Sequence, residues 1–314
     1  MITISIVIPV KNGISTIERC LNAIFSQTII KEAEVIIIDS GSTDGTLEVL
    51  KNYDVRLYQI DPNNFNHGAT RNFGVSLANG EIIVMTVQDA MASDSKWLES
   101  LITPFEDASI AGVCGRQMIA HDNQNNPGAW TETFSDPQFR KVSFSKAELV
   151  QMSPVERKNN CGWDNVTAAY RKDMLQQIPF PITNYSEDIH WAWQMYHKGF
   201  HLGYAPQASV FHYHHENYIY RYKRHFIEIT NHFRVYGLKA YPALKKSDLI
   251  PFYRVLKKTK VNKFNWLLYN VRLITANKMA ESLFAITYWL NGEKGITKKY
   301  YQLTKEVPIG KSNL

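Results

Sequence analysis

The sequence predicts an α/β protein whose sheet is mostly parallel, and two observations support this fold class. Short apolar runs alternate with segments of helical periodicity through the first hundred residues, which is the element order of a parallel sheet covered by helices. The run 35–38 is continuously apolar, as strands are when both of their faces are buried. After residue 215 the strand-like runs stop, and aromatic, apolar and basic residues follow at helix-like spacing.

The alternating elements can be placed in order along the chain. Strands are expected at 2–10, 35–38, 55–59, 82–87, 110–119 and 165–170, with two more over 199–206 and 208–215. Helices are expected at 15–27, 46–53, 66–78 and 96–103, and another begins at Glu187. Residues 121–138 contain the Asn, Asp and Pro residues typical of loops and are expected to form one.

Charge divides the chain into two regions. Residues 1–215 hold 16 Lys and Arg against 23 Asp and Glu, a net charge of −7, whereas residues 216–314 hold 19 against 6, a net charge of +13. We therefore expect one domain over 1–215 and a basic, mostly helical region over 216–314. Such a basic region suits an anionic partner, either lipid headgroups or nucleic acid, or it is a solvated helical face.

The cysteines and the apolar segments bear on the cellular compartment. Cys20, Cys114 and Cys161 are few and widely spaced, so they predict neither a metal motif nor a disulfide framework, and they fit a reducing compartment. The amino terminus lacks a basic region and is not expected to be a signal peptide. The apolar stretch 283–290 is far shorter than a bilayer requires. We expect a cytoplasmic protein that can attach peripherally to the inner face of the cytoplasmic membrane.

Acidic residues follow two of the predicted buried strands. Asp39 ends the run 35–38 and opens a turn rich in Gly and Ser, and Asp89 follows the run 82–87. Ligand sites in parallel sheets lie beyond the carboxyl ends of the strands, and residues 9–12 also fall there. One such acid alone would suit a turn or a cap, but two at the ends of buried strands predict a site.

A second acidic pair, Glu187-Asp188, stands just before an aromatic segment of helical character. Together with Asp39 and Asp89 it suits an enzyme that holds a nucleotide and a metal ion, and it supplies a base for attack on a sugar carbon. The alternative is that acids at the start of a helix only complement the helix dipole.

These segments resemble the inverting family 2 glycosyltransferases, which have the GT-A fold, over roughly residues 3–215. The likeness rests on the opening strand Ser5–Asn12, on the strand and turn Val35–Thr46, and on the segment Thr70–Val84 that leads to the metal motif. Each piece is weak alone, but their common order and spacing make a strong joint signal.

Three details are similar to bacterial rhamnosyltransferases of that family. They are Phe65–Asn72, Thr86–Ala90 with one inserted residue, and Val210–His214. The usual Asp-x-Asp of the family is reduced here to Gln-Asp-Ala at 88–90, so Asp89 is the acidic ligand that remains. The Gln-x-x-Arg-Trp of processive synthases is absent from the sequence, which favours a transferase that adds one sugar or a few.

The resemblance implies a divalent cation, Mn²⁺ or Mg²⁺, that offsets the charge of the nucleoside diphosphate. Asp89 is expected to supply one oxygen ligand. His212 and His214 stand two residues apart, on one face of a strand, and are the further candidate ligands. Imidazole in the ligand set favours manganese mildly. The alternative for the histidines is a solvated cluster.

The resemblance also assigns residues to the two substrates. Asp39 is expected to accept hydrogen bonds from the base or ribose, and Arg71 to contact the nucleotide unless it forms a surface salt bridge. The full set of expected nucleotide-binding residues is Pro9, Val10, Asn12, Asp39, Arg71 and Gln88. On the acceptor side, the expected residues are Trp163, Glu187 and Trp191. Asp188 matches the family's base, which takes the proton of the acceptor hydroxyl.

The expected function is therefore the transfer of a sugar, rhamnose from dTDP-rhamnose, to a glycan or polyprenyl-linked acceptor in bacterial surface polysaccharide synthesis. Alternatives are a transferase of the same fold that uses a UDP-hexose, and a weakly catalytic protein that binds nucleotide sugars or nucleic acid. Nucleic acid is not an expected partner, because the tail lacks a recognition motif and the body is acidic. A nucleotidyltransferase or dinucleotide dehydrogenase would need a Gly-rich loop after the first strand, which is absent.

The basic tail also contains a segment that suits a membrane surface. Arg254, Lys257, Lys258, Lys260 and Lys263 stand next to the aromatic and aliphatic residues of 264–269. Cations beside an apolar stripe are typical of an interfacial helix on anionic lipid. Alternatively, residues 266–269 belong to the core or to a homodimer contact.

Overall fold

The computed structural model describes residues 3–119, 138–257 and 262–304. The expected loop 121–138 lies outside the described residues except for residue 138, and so do Lys258 and Lys260 of the basic segment.

The described elements follow the alternation of the first hundred residues and then become more varied. The strands are β1 Ile4–Val10, β2 Ala33–Asp39, β3 Arg56–Gln59, β4 Ile82–Thr86, β5 Met91–Ala92, β6 Ile110–Met118, β7 Arg140–Val142, β8 Thr167–Arg171 and β9 His201–Phe211. The helices are α1 Ile17–Phe25, α2 Thr46–Leu50, α3 His67–Leu77, α4 Trp97–Ile102, α5 Lys146–Gln151, α6 Pro154–Asn160, α7 Lys172–Gln177, α8 Glu187–His197, α9 Tyr218–Tyr236, α10 Lys246–Lys257 and α11 Lys263–Thr304. Short 3₁₀ turns lie at Ile30–Glu32, Pro62–Asn64 and Thr103–Glu106.

The strands form one mixed sheet in the order β3-β2-β1-β4-β8-β6-β9-β5, with β7 added beside β9. Strands β3, β2, β1 and β4 are parallel. Strand β8 is antiparallel to both β4 and β6, and β9 is parallel to β6. The carboxyl ends of β1, β2, β3, β4, β6 and β9 therefore share one edge of the sheet, where the segments carrying Asp39 and Asp89 begin.

A large apolar core lies against this sheet. The strand β1 is buried along nearly its whole length, and α1 turns Ile17, Cys20, Leu21 and Ile24 onto it. Burying one such Leu or Ile side chain stabilises the fold by about 1.5–3 kcal/mol. All three cysteines are buried.

The structure departs from the expected elements in two places. The two strands expected over 199–206 and 208–215 are one strand, β9, and Pro206 lies inside it. The pairing of β6 with β9 shifts register between Cys114 and Arg116, opposite Tyr204 and Ser209, so Pro206 sits in a bulge, where a missing N–H is tolerated. The short elements β7, α5 and α6 were not expected, because they are too short to show a clear period.

The chain divides into two compact units. Within the described residues, the first holds 3–118, 138–152 and 160–212, and the second holds 119, 153–159, 213–257 and 262–304. The second unit is helical, as expected for the tail, and its core contains Phe226, Phe284 and Ile296. The long helix α11 is interrupted at Gly292, whose φ and ψ are 59° and −152°. None of the helices in the described ranges is both long and apolar enough to cross a bilayer.

Candidate active site

The loops that follow β1 and β2 are tied to each other. The backbone N–H of Asn12 donates to Ser42 Oγ at 2.8 Å, and the Thr43 N–H donates to Asn12 Oδ1 at 2.9 Å. The Asp39 carboxylate is fully buried and accepts from the backbone N–H groups of Gly41, at 3.0 Å, and Ser42, at 3.1 Å, and also from the Ser42 hydroxyl. Asp39 thus shapes its own turn and does not face solvent in this arrangement.

The loop after β4 is fastened to the loop after β1 through Gln88. The Lys11 N–H donates to Gln88 Oε1 at 2.8 Å, and Gln88 Nε2 donates back to the Lys11 carbonyl at 3.1 Å. Val10 is buried, and its carbonyl accepts from the Ser40 N–H at 2.9 Å, whereas Pro9 stays partly exposed. The predicted nucleotide residues of these loops therefore lie together, and most of their polar groups hold the loops in place.

Asp89 and the two predicted histidine ligands come together at the same edge of the sheet. The Nε2 atom of His212 lies 3.5 Å from Asp89 Oδ1. One ligand atom from each of Asp89, His212 and His214 lies within 4.8 Å of the others. The position of His212 is fixed by its backbone N–H, which donates to the Met118 carbonyl at 2.9 Å.

The protonation of His212 can be derived from its neighbour Gln117. Gln117 Oε1 lies 2.8 Å from His212 Nδ1, and an amide oxygen can only accept, so Nδ1 carries the proton. The Gln117 side chain also hydrogen bonds to the Asp164 carboxylate, which fixes the amide with its oxygen toward His212. The Nε2 atom of His212 faces an Asp89 oxygen, and it carries a lone pair there when the imidazole is neutral.

This arrangement fits a divalent cation. An imidazole lone pair and a carboxylate oxygen that face each other at 3.5 Å repel unless a cation or a proton lies between them. The donor set of one carboxylate and two imidazoles suits Mn²⁺ better than Mg²⁺. A hydrogen bond to the remote nitrogen of a ligating histidine is the usual way that proteins orient such a ligand.

Asp188 lies in the first turn of α8 with its carboxylate held by backbone groups. Asn165 N donates to its Oδ2 at 3.0 Å, and Ile189 N donates to its Oδ1 at 2.7 Å. Burial and the neighbouring Glu187 carboxylate raise the pKa of Asp188 to about 8. The residue as a whole remains partly exposed. A carboxyl group whose pKa lies near neutral pH, in a residue that is not fully buried, suits a general base.

Glu187 is held in a buried ion pair beneath Asp188. Its Oε1 lies 2.9 Å from Arg71 Nη1 and accepts from Asn165 Nδ2 at 2.9 Å. Burial opposes the ionisation of Glu187, but Arg71, His67 and Asn165 together lower its pKa. A surface salt bridge is the alternative that the sequence allows for Arg71. Arg71 does form a salt bridge, but it is only 4% exposed, so the pair is buried. Neither Arg71 nor Glu187 is placed to reach a ligand directly.

The predicted acceptor residues Trp163 and Trp191 lie inside the core. Trp191 is 0% exposed and its Nε1 donates to the Ile178 carbonyl at 2.8 Å. Trp163 is 7% exposed and its Nε1 donates to the Tyr170 hydroxyl at 2.7 Å. A ring without an exposed face cannot stack on a sugar, so stacking on the acceptor does not fit either position.

Sequence reasoning missed Gln117, Asp164 and Asn165. Asp164 and Asn165 are neighbours in the segment before β8, where one contacts the Gln117 amide and the other holds Asp188 and Glu187. These two residues link the Asp89–His212 side of the site to the Asp188 side. The residues that connect to them stand 22 to 47 positions away, so no local pattern could have indicated the connection.

Comparisons with known proteins identify the family of this chain. Residues 5–178 match the family model for glycosyl transferase family 2. The chain is 33% identical over 217 residues to an O-antigen chain rhamnosyltransferase, RfbN, of Salmonella typhimurium, covering 67% of this chain and 66% of the relative. It is 32% identical over 222 residues to another, WbaN, of Salmonella anatum, covering 68% of this chain and 67% of the relative. The matched segment thus spans about two thirds of each relative.

The fold has a counterpart among solved structures. A mannosyltransferase from Pyrobaculum calidifontis, PcManGT, solved in complex with GDP-Man and Mn²⁺, superimposes with a TM-score of 0.54 at 16% identity, covering 98% of this chain and 81% of the other. This likeness confirms the GT-A fold expected from the sequence. The matched family model and the identity to the two rhamnosyltransferases show that this chain belongs to glycosyl transferase family 2.

Proposed function

We propose that this protein is an inverting glycosyltransferase that transfers rhamnose from dTDP-rhamnose to a glycan or polyprenyl-linked acceptor in bacterial surface polysaccharide synthesis. The observation that carries the proposal is the link through Asp164 and Asn165. It places a carboxyl group that titrates near neutral pH and an aspartate–histidine pair in one connected site. One group takes up a proton and the other suits a cation, which are the two needs of transfer from a nucleotide sugar.

The proposed reaction is a single displacement at the anomeric carbon. The acceptor hydroxyl oxygen forms the new bond to that carbon while the bond to the nucleoside diphosphate breaks and its electron pair leaves with the diphosphate. The Asp188 carboxylate takes the hydroxyl proton. The pKa of about 8 means that the ionised form increases through neutral pH, so we expect kcat/KM to rise between pH 6 and pH 8 in proportion to that form.

Asp89 and His212, with His214, would hold the divalent cation. A bound cation stabilises the negative charge of the departing diphosphate. The chain's own contribution is the hydrogen bond from His212 Nδ1 to Gln117, which orients the imidazole so that its other nitrogen faces Asp89.

For the donor, the proposal is supported by the likeness of Phe65–Asn72 and Thr86–Ala90 to rhamnosyltransferases and by the two similar relatives. The test is thermal stabilisation of the purified protein by a panel of nucleotide sugars with Mn²⁺ present, followed by measurement of the nucleoside diphosphate released. We expect dTDP-rhamnose to raise the melting temperature most. Tight binding of a UDP-hexose with no effect of dTDP-rhamnose would disprove the donor assignment and leave the family unchanged.

The base is tested with Asp188→Asn. We expect transfer to fall by about 10²–10⁴, while the affinity for dTDP with Mn²⁺ stays within about threefold. Transfer at a near wild-type rate in this variant would refute the role of Asp188.

We also propose that the second unit attaches to anionic lipid. Helix α11 exposes a stripe of apolar side chains on one face, with Phe264 at 74%, Leu268 at 39% and Val271 at 46% exposure. Lys263 and Arg272 are exposed beside them. Trp266 and Tyr269, by contrast, pack against His215 in the same unit, which agrees with the core alternative for these two rings. Exposed apolar groups flanked by cations suit an interfacial helix.

Vesicle sedimentation tests this attachment. Anionic vesicles should retain the wild type at low salt and release it at high salt, because each cation near the surface contributes about 1 kcal/mol. The double variant Lys263→Glu and Arg272→Glu should lose binding, whereas Lys51→Glu, an exposed lysine of the first unit, should keep it. Retention of the double variant on the vesicles would show that these two cations do not attach the protein to lipid. Concentration-dependent dimers without lipid binding would favour the homodimer contact.

A further inference from the structure

The segment Phe65–Asn72, similar to rhamnosyltransferases, makes contacts that its likeness did not predict. Its last residue, Asn72, forms two hydrogen bonds to the backbone of Phe180. Asn72 Nδ2 donates to the Phe180 carbonyl at 2.8 Å, and the Phe180 N–H donates to Asn72 Oδ1 at 3.0 Å. A side-chain amide that both donates to and accepts from one residue fixes that residue in position and direction.

Two more residues of this segment contact the chain just beyond Phe180. Gly68 N donates to the Thr183 carbonyl at 3.2 Å, and a Cβ at position 68 would lie 1.9 Å from the Pro181 carbonyl oxygen. Only glycine allows so close an approach of the two backbones. Asn66 Nδ2 donates to Asn184 Oδ1 at 3.0 Å. The start of α3 therefore contacts residues 180–184 at several points.

Residues 180–184 lead directly into the turn that presents Asp188. They are in neither helix nor strand, so the contacts with α3 replace the ladder bonds that would otherwise hold them. The chain enters α8 through Ser186, which has a φ of 63°, a conformation that non-glycine residues adopt only when their surroundings impose it. Displacing a catalytic group by about 1 Å can cost about 10²-fold in rate.

We propose that Asn66, Gly68 and Asn72 are positioning residues that hold residues 180–186 and thereby place Asp188, and that they do not contact the donor. This inference rests on the proposed role of Asp188 as the base. A positioning role can be distinguished from donor contact by measurement, because a donor-binding residue affects nucleotide affinity whereas a positioning residue affects the loop and the turnover.

The test compares Asn72→Ala with a matched control, Asn79→Ala. Asn79 follows the end of α3, and its side chain donates to Glu34 Oε2 at 3.1 Å, away from the 180–186 segment. In Asn72→Ala we expect amide hydrogen exchange over 179–188 to accelerate at least about tenfold, with exchange elsewhere unchanged. The affinity for dTDP with Mn²⁺ should stay within about threefold, and kcat should fall about 10- to 100-fold. The control should change none of these.

A second variant, Asn184→Ala, removes the bond to Asn66 from the other side and leaves the cap of α3 intact, so it remains informative if Asn72→Ala does not fold. A loss of dTDP affinity as large as the loss of kcat, with unchanged exchange over 179–188, would overturn the inference in favour of donor contact. Unchanged exchange and unchanged kcat in both variants would also overturn it. If Asp188→Asn keeps full activity, the proposed function fails instead, and the exchange data still decide whether α3 holds the segment.

Discussion

Replacing Asp188 with asparagine should change the pH dependence of stability, because the fold holds this carboxyl group against its tendency to ionise. Its ordinary pKa is 3.8, and burial beside Glu187 raises it to about 8. A pKa raised by folding gives stability that is fully present below the unfolded value and is lost as pH rises through the folded value. Between pH 5 and pH 8 the free energy of unfolding of the wild type should fall by about 3–4 kcal/mol because of this group.

Asparagine does not ionise, so the pH-dependent fall in the free energy of unfolding disappears. The substitution also destabilises the fold in a second way that does not depend on pH. Both carboxylate oxygens of Asp188 accept a backbone N–H, from Asn165 and Ile189, and an amide has only one oxygen to offer. The second N–H would face an NH₂ group, which costs about 1–3 kcal/mol at every pH. We therefore expect Asp188→Asn to be less stable than the wild type at pH 5 and to match or exceed it at pH 8.

Urea unfolding at pH 5, 6, 7 and 8, with chelator present to exclude metal effects, measures both free energies of unfolding. Asp173→Asn is the matched control, because Asp173 also lies in the first turn of a helix and accepts the next N–H, from Met174 at 2.8 Å, but is exposed. The reasoning is refuted if the wild-type and Asp188→Asn curves stay parallel across this range, or if the control converges on the wild type as strongly.

Three further changes test the rest of the site. Asp89→Ala should weaken Mn²⁺-dependent dTDP binding far more than Gln88→Ala, since an amide is a poorer ligand for a hard cation; calorimetry showing equal losses would count against Asp89. Gln117→Ala should lower Mn²⁺ affinity about 10- to 100-fold in a paramagnetic resonance titration, with partial recovery in Gln117→Glu; an unchanged affinity would show that this hydrogen bond does not orient His212. Trp191→Phe should lower the free energy of unfolding by about 1–2 kcal/mol without raising the acceptor KM. A raised KM at unchanged stability would instead support the predicted contact between Trp191 and the acceptor.

Three of the first four strands, β1, β2 and β4, could be predicted from the sequence because each contains a buried apolar run with a turn after it. Asp39 and Asp89 were placed at one edge of the sheet for the same reason, and the structure brings the segments that carry them together there. The antiparallel insertion of β8 between β4 and β6 could not be predicted, since the run Thr167–Arg171 is compatible with either direction. Its direction depends on pairing with strands far away in sequence.

The environment of each site residue was harder to predict than its position. Arg71 has the charge expected of a nucleotide contact, but it pairs with Glu187, 116 residues later, and that partner cannot be identified from either segment alone. The tryptophans near Asp188 have the composition of a sugar-binding surface, yet Trp191 is fully buried. Periodicity indicates which face of a helix is apolar, but it does not indicate whether an aromatic ring on that face meets the core or a ligand.

The adjacency of Asp164 and Asn165 constrains how such a site can change over evolution. One of these residues contacts the amide that orients His212, and the other holds the carboxylate of Asp188. A substitution or an insertion in this short stretch would disturb cation binding and proton removal together. Adaptation to a new acceptor is therefore easier by changes outside 164–165. We expect functional descendants of this chain to vary at other positions and to keep these two residues.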